Sequence, residues 1–576
     1  MRDRHGSLRE RLFPFLRWFP PQPGALRADI LAGITVALVL VPQSMAYAQL
    51  AGLPPVYGLY TAFLPVLVAA LWGSSPQLAT GPVAMGSLLT ASSLAVLATP
   101  GSADYVGYAI LLALMVGVLQ FALGALRLGT VVNFISHPVV LGYTNAAAII
   151  IALSQLDKLL GVTLPRGGAF LGDIVAMLAN LGSAQPLTLA FGLVAFALMA
   201  GLRRFAPRWP GVLIAIALAT LASWASGYAE TGRVVGAIPQ GLPVVQLPRA
   251  SLETITALAS SALVIALVGF MEAISIAKAM AIRTRTRLDP DQELIGQGLA
   301  NVCGSLTQCF PASGSFSRSA VNLEAGARSG LSSVVTALVV VAVLLFLTPL
   351  LYHLPQSVLA AVIMLAVMPL VKPGALVHAW RAHRHDGIAG LVTFIATLAL
   401  APHLDVGILV GAGTALTLFL FRSMKPRFAL LGRHPDGTLR DAERHGLALS
   451  DHVVAARLDG DLYFANAAYF EDRMLELVAR FPAARQILIV CEGINQLDAS
   501  GDEIVRHLVM RLRDDGVTLS FTGLKKQVLD VLRATGTLEI IGADHVFVHE
   551  DHALATLAAR VPDPGFDRAT FPLLPA

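Results

Sequence analysis

The stretch FPASGSFSRSAVNLEAGARS, Phe310–Ser329, lies among long apolar segments yet carries five serines, Arg318 and a Pro-Ala-Ser-Gly break. A helix that crosses a bilayer without interruption satisfies its own backbone groups and has no use for such a composition. A charged side chain inside a span costs about 2.5–3.5 kcal/mol on insertion scales and usually faces a cavity or the bundle interior. The break at Pro311–Gly314 therefore predicts a helix that starts inside the membrane, with the unpaired N–H groups of its first turn at the tip. Those N–H groups, the positive end of the helix dipole and Arg318 together make an anion site.

The surrounding chain supports a membrane setting. Of 576 residues, 55% are hydrophobic and 14% charged, whereas soluble domains carry about a quarter charged residues. The net charge of +4 does not point to nucleic acid, because many basic residues fall in short loops beside apolar runs. Three cysteines, Cys303, Cys309 and Cys491, are too few and too scattered for a disulfide framework. Cys303 and Cys309 are expected to serve as packing residues. The opening MRDRHGSLRERLFPFLRW is basic and lacks the apolar core of a signal peptide, so residues 1–28 are expected to form a cytoplasmic tail.

From Ile30 to Ala103 there is no Asp, Glu, Lys or Arg, a length that holds about three spans at roughly 20 residues each. Breaks at Gly52–Pro55 and Gly73–Pro76 place them near 30–50, 56–72 and 82–98. Further apolar runs follow at 105–126, 129–156, 184–202, 210–229, 254–278, 294–309 and 314–323. The run 330–371 splits at Leu351–Pro355 into two, and 387–401 and 406–421 complete fourteen spans in a transport domain over 29–426. With a cytoplasmic N-terminus, the cytoplasmic loops hold Arg203, Arg204 and Arg208, then Lys278, Arg283, Arg285 and Arg287, then Lys372, Arg381 and Arg384. The opposite loops hold only Lys158, Arg166, Arg233 and Arg249 among the residues counted. That asymmetry predicts an inner-membrane protein with both termini cytoplasmic.

Beyond Pro426 the composition changes. Strand-like runs at VVAARL, Gln486–Gly493, Val517–Gly523 and VFVHE alternate with amphipathic helices at Phe470–Arg480, Asp502–Asp515, Lys525–Arg533 and Asp551–Arg560. This is the α/β pattern of a compact cytoplasmic domain, expected over 440–560. The two membrane halves also echo one another. Span three follows Ser75–Ala84 and span ten follows Phe310–Phe316, each a short helix with a Gly/Pro/Ser-rich approach, seven spans apart. Interrupted segments at matching positions point to a transporter binding site. Because seven is odd, the halves insert in opposite senses and their tips can meet near the midplane.

Three long motifs resemble the SulP anion permeases, the sulfate-transporter group: VPQSMAYAQLAGLPPVYGLY (Val41–Tyr60), EAISIAKAM (Glu272–Met280) and LDPDQELIGQGLANVCGSLTQCFPASGSFSRSAVNLEAGARS (Leu288–Ser329). The tail is similar to a STAS domain. The resemblance implies a polytopic α-helical membrane protein with a seven-plus-seven inverted repeat, half-helices three and ten, a core domain that moves against a gate domain, and a homodimer.

Four groups carry the expected chemistry. The tips offer Gly81, Pro82, Val83 and Ala84 on one side and Ser313, Gly314, Ser315, Phe316 and Ser317 on the other, a nest of N–H and O–H donors; the same serines would also serve as ordinary helix-packing residues. Arg318 supplies fixed positive charge, or else an internal salt bridge to Glu324 or Glu272. Gln43 and Tyr47, four apart, share a face of span one, and the Pro42-Gln43 pair matches the family position that lines the substrate pocket. Glu272 is the one acid inside the apolar span eight. A buried carboxylate takes a proton or pairs with a cation such as Arg318 or Lys278, and the resemblance implies proton coupling there.

In the tail, Gln496–Gly501 matches the STAS loop, but Ala499 stands where signalling relatives carry a phosphorylated serine. Asp498 is expected to cap the following helix. His545, His549 and His552 fit no standard metal spacing. Without a P-loop, nucleophile elbow or HExxH, neither an enzyme nor a cofactor or metal is expected. The reading is a proton-coupled transporter of a small oxyanion, sulfate first, in a lipid bilayer. Bicarbonate, a C4-dicarboxylate, anion exchange and a membrane-anchored STAS regulator remain as alternatives, and a cytoplasmic protein partner for the tail stays open.

Overall fold

An apolar segment in hydrocarbon can satisfy its peptide groups only as a helix or a closed barrel, and the chain from Ala25 to Met424 takes the helical solution. The computed structural model describes residues 13–19, 24–129, 136–162, 170–206, 209–248, 251–401, 403–561, 566 and 571–574. Residues 1–12 of the expected tail, the start of the fifth apolar run, and Arg166, Arg208 and Arg249 of the charge count lie outside the described residues. The chain divides into a unit through Ala415 and a second from Leu416.

The first unit opens with α1 (Ala25–Leu50), α2 (Pro55–Thr61) and α3 (Leu64–Trp72), then an extended approach containing β1 (Thr80–Gly81) and the short α4 (Ala84–Leu94). Next come α5 (Ala103–Ala125), α6 (His137–Ser154), α7 (Leu156–Leu160), α8 (Phe170–Ala179), α9 (Pro186–Phe205) and α10 (Gly211–Ala225). The helix α8 falls in a connection that the apolar runs left blank; at 10 residues it is too short to cross a bilayer. The unit continues with α11 (Leu252–Thr284), α12 (Pro290–Leu306), β2 (Ser313–Gly314) and the short α13 (Phe316–Glu324). It ends with α14 (Leu331–Ala342), α15 (Gln356–Val367), α16 (Pro373–Ala382), α17 (Arg384–Ala399) and α18 (Leu404–Met424). Among the described residues, nine helical stretches are long and apolar enough to cross a membrane, and α4 and α10 are shorter apolar helices.

Two sets of helix contacts stand out within this unit, joined where α1 packs against α15 and α10. In one, α12 packs against α5 and α3, α14 and α13 against α1, and α11 against α5 and β2. In the other, α6 packs against α17, α9 against α15 and α10, and α16 against α17. Small residues allow the close approaches: a Cβ on Gly142 of α6 would come within 2.1 Å of the Gly390 carbonyl oxygen of α17. Gly411 of α18 lies against Thr393 of α17.

Between α4 and α13, the strands β1 and β2 pair antiparallel, with Thr80 opposite Gly314 and Gly81 opposite Ser313. Gly81 holds φ +145°, a backbone conformation that glycine adopts at least cost. This two-residue ladder ties the approaches of the two short helices together.

The second unit is built on a six-stranded sheet, β3 (Arg427–Arg433), β4 (Leu439–Asp441), β5 (Val453–Asp459), β6 (Gln486–Val490), β7 (Thr518–Thr522) and β8 (Val546–Phe547), ordered β4-β3-β5-β6-β7-β8. The four strands from β5 to β8 are parallel, as their intervening helices require. Those helices are α20 (Ala467–Arg480), α21 (Ala499–Asp514), α22 (Lys526–Ala534) and α23 (Thr537–Ile541), with a short α19 (Ala442–His445) before β5 and α24 (Glu550–Ala559) after β8. Phe470, Leu508 and Leu532 fill one face of the sheet, and Leu554, Leu557 and Leu573 the other. The sheet begins at Arg427, ahead of residue 440, because β3 pairs antiparallel with β5 and makes an edge hairpin with β4. Asp498 is the N-cap of α21, its carboxylate accepting from the Gly501 N–H at 2.8 Å.

Candidate anion-binding site

The two short helices each lack intrahelical partners for their first N–H groups. The first helical bonds run from Ser87 N–H to Val83 O, 2.9 Å, and from Ser319 N–H to Ser315 O, 3.0 Å. That leaves Ala84–Gly86 and Phe316–Arg318 as the donor positions. The donor set therefore begins later than the expected Ser313–Ser317: the Ser315 N–H donates to Ala79 O at 2.9 Å, and the Ser313 hydroxyl to Gly269 O at 2.7 Å. Gly81, Pro82, Val83, Ala84, Ser313, Gly314 and Ser315 are buried, whereas Phe316 and Ser317 are exposed. The Ser315 and Ser317 hydroxyls face each other at 3.4 Å.

Arg318 is fully buried, and its Nε, Nη1 and Nη2 have no hydrogen-bond partner among the described residues. Neither of the salt bridges weighed for it, to Glu324 or Glu272, forms among the described residues; Glu324 is exposed, as is Lys278, the other cation weighed for Glu272. Its Nη2 would lie 3.3 Å from a Cβ built on Gly81, so the guanidinium reaches the opposite tip. Tyr47 and Glu272 lie within electrostatic range of it. Tyr47 is buried, as is Gln43, whose Oε1 has no partner among the described residues. Glu272, half-buried on α11, lines a cavity of about 10 Å³ behind the tips with Val83, Gly86, Pro311 and Ser313.

A second set of polar residues, which the motif reading passed over, holds the tips in place. Asn301 on α12 clamps the approach to α13: the Ala312 N–H donates to its Oδ1 at 2.8 Å, and its Nδ2 donates to Ala312 O at 3.0 Å. Asn301 Nδ2 also donates to Gln120 Oε1 at 3.1 Å. Gln297 Nε2 donates to the Thr80 hydroxyl at 2.8 Å and to Glu293 Oε1 at 3.1 Å. Glu293 accepts the N–H groups of Ser74 and Ser75 at 2.8 and 3.0 Å. Glu293, Gln297 and Asn301 recur every fourth residue, which places them on one helix face; that spacing is the signal that could have found them. In the second unit, no group of three or more His, Cys, Asp or Glu is placed to hold a metal among the described residues. His545 instead faces the Ser520 hydroxyl at 3.3 Å.

Two broken membrane helices whose tips meet over a buried, unpaired arginine, followed by a separate α/β unit, define a membrane anion carrier rather than an enzyme. Comparison with known proteins specifies it further. Residues 26–393 match the sulfate permease family and residues 447–553 the STAS domain. The chain is 35% identical over 566 residues to sulfate transporter 4.1, chloroplastic, of Arabidopsis thaliana, covering 95% of this chain and 82% of that one. It is 33% identical over 527 residues to a probable sulfate transporter of Mycobacterium tuberculosis, covering 91% and 94%. The chain belongs to the sulfate permease family, a family of transporters. Its fold is that of the murine Solute Carrier 26 family member A9 anion transporter in the inward-facing state, with a TM-score of 0.88 at 24% identity over 97% of this chain and 96% of that one. The transmembrane domain of the cyanobacterial bicarbonate transporter BicA aligns with a TM-score of 0.58 at 25% identity, over 68% and 97%.

Proposed function

We propose that the protein is a secondary transporter that carries a small oxyanion, sulfate first, together with protons by alternating access. The observation that carries this reading is Arg318, a buried guanidinium without a partner among the described residues, beside the N-termini of α4 and α13. A buried charge left unpaired is strongly unfavourable, and an anion between the tips would supply the missing partner and accept the free N–H groups. Gln43, Tyr47, the tips Gly81–Gly86 and Ser313–Ser317, and Arg318 make up the proposed binding set, with the free N–H groups at Ala84–Gly86 and Phe316–Arg318. The antiparallel β1–β2 pairing supports a seven-plus-seven arrangement of fourteen spans in opposite senses over 29–426. The STAS domain is assigned to 440–560, with the β3–β4 hairpin extending its sheet on the N-terminal side. Inner-membrane location with both termini cytoplasmic follows from the charge asymmetry, and a homodimer from the family resemblance.

Glu272 is assigned the proton. It lines the cavity behind the tips and has no hydrogen-bonded cation among the described residues, so an anion arriving at Arg318 raises its proton affinity, and by linkage the proton tightens anion binding by the same factor. A regulatory role for the tail without transport is less favoured, since Ala499 cannot be phosphorylated. The test is uptake by purified protein in liposomes across labelled sulfate, bicarbonate and C4-dicarboxylates, with and without an inward proton gradient. Gradient-stimulated sulfate uptake supports the reading; accumulation of none of these anions overturns it.

A further inference from the structure

A cavity of about 600 Å³ opens in the membrane unit where α1 meets α10. Helix α1 lines it with Ala37, Val41 and Pro42, and α10 with Leu213, Ala217 and Thr220. The third wall runs from Val339 of α14 through a π-helical turn at Val343–Leu347 and a 3₁₀ turn at Thr348–Leu351. Turns of the π kind are rare and fall mostly at functional sites. Of the lining residues, Leu221, Trp224, Leu347 and Leu350 are exposed, so the cavity opens outward between the helices. Two of its walls belong to Ala25–Leu50 and Leu331–Leu351, both long and apolar enough to span a membrane. The medium outside is therefore hydrocarbon.

Two polar atoms interrupt the apolar lining. The Thr220 hydroxyl and His353 Nδ1 are buried, with no hydrogen-bond partner among the described residues. Threonines on the neighbouring helices close back on the carbonyl four residues earlier, as Thr35 and Thr336 do at 2.8 and 3.0 Å; Thr220 does not. Both atoms stand at the same end. Thr220 lies in the last two turns of α10, and the chain beyond α10 is bonded to the chain around His353. There the Val235 N–H donates to Leu354 O at 2.8 Å and the Gly236 N–H to Tyr352 O at 3.1 Å. The cavity is thus polar towards the helix ends, where Trp224 suits a membrane interface, and apolar towards Ala37 and Val339 at mid-helix. Its volume and its few polar groups are those of a small-ligand site, and water does not fill apolar space of this kind.

We propose that the cavity holds one acyl chain of a bilayer glycerophospholipid. The tail lies against Ala37, Val41 and Val339, and the ester oxygens accept from the Thr220 hydroxyl and from His353 as its Nδ1–H tautomer. Lipid, rather than protein, then fills part of the seam between the two sets of helix contacts. The proposal is independent of which anion is carried.

The test uses the full chain in detergent with added phosphatidylethanolamine that carries a photoreactive diazirine, either at the end of one acyl chain or beside the ester. Peptide mass spectrometry locates the label. Labelling in the cavity should be saturable and stronger than at Val194, on the exposed face of α9. The chain-end probe should mark residues 37–41 and Val339, and the ester probe residues 220–224 and 350–353. Ala217→Phe, which fills the cavity, should abolish saturable labelling; Val343→Phe does so from another wall should Ala217→Phe fail to fold. Thr220→Val and His353→Leu should each weaken labelling about fivefold, the loss of one hydrogen bond. Cavity labelling no stronger than at Val194, or parental labelling in a filled variant with parental thermal unfolding, overturns the proposal. So does a reversed pattern of the two probes, or parental labelling in both polar variants, since the polar end then holds no ester. Labelling that disappears as the protein is concentrated into an oligomer gives the cavity to a second copy of the chain instead.

Discussion

Replacing Arg318 by Met should move two measurements in opposite directions. Methionine keeps most of the buried volume and removes the charge, so lost packing does not obscure the result. With the anion about 5 Å from the guanidinium and an effective dielectric of about 20, each unit of anion charge gains about 3 kcal/mol. Affinity should therefore fall by about a hundredfold or more, with a dianion affected most. The anion-free protein should become more stable, because an uncompensated buried charge has been replaced by an apolar side chain, a change that can be worth about 1–4 kcal/mol. Thermal unfolding in detergent with and without sulfate reads both. Sulfate at about 100 times the parent's Kd should stabilise the parent by about 2.7 kcal/mol, but a variant weakened a hundredfold by only about 0.4 kcal/mol. An affinity within twofold of the parent, or a less stable anion-free variant, would show that the guanidinium serves the packing rather than the anion.

Three further outcomes are expected. Glu272→Gln, a permanent imitation of the protonated carboxyl, should bind anion and exchange anion for anion while losing acceleration by an inward proton gradient; persistent gradient dependence in liposomes places the proton elsewhere. Asn301→Leu strips the Ala312 N–H and C=O of their partners at about 1–3 kcal/mol each, so sulfate affinity should drop with Arg318 untouched, and unchanged binding would mean that β2 holds its place without the clamp. Burial, then the nearby Arg560 and Arg513, hold His545 below its usual pKa, so the neutral ring is favoured in the folded STAS unit. Its stabilising contribution is complete above about pH 6.5 and is lost as pH falls through the lower folded value. His545→Gln should flatten that dependence in hydrogen exchange at β7, and a slope equal to the parent's assigns it to another group.

Much of the fold can be read residue by residue. The uncharged run from Ile30 to Ala103 required membrane helices, Pro311–Gly314 required a break, and the alternation at Gln486–Val490 and Thr518–Thr522 required strands flanked by helices. The edge strand β3 was not legible: Arg427–Arg433 follows directly on α18, and only its pairing with β5 makes it part of a sheet. The tip residues were named from composition, but which of their donors stay free was not, because Ser315 N–H and the Ser313 hydroxyl are taken by carbonyls at Ala79 and Gly269.

Hydropathy, proline and glycine breaks and charge asymmetry act over a few neighbouring residues, so the sequence alone determines a helical membrane unit with two interrupted helices and a following α/β unit. Which groups meet is set by packing between segments far apart in the chain. Ala79 finds the Ser319 hydroxyl across 240 residues, and Ser261 finds Asp405 across 144. No local pattern records such distances. That Arg318 ends among these contacts with its guanidinium unclaimed was therefore decided by the tertiary structure, since a charge is paired or unpaired only with respect to everything folded around it.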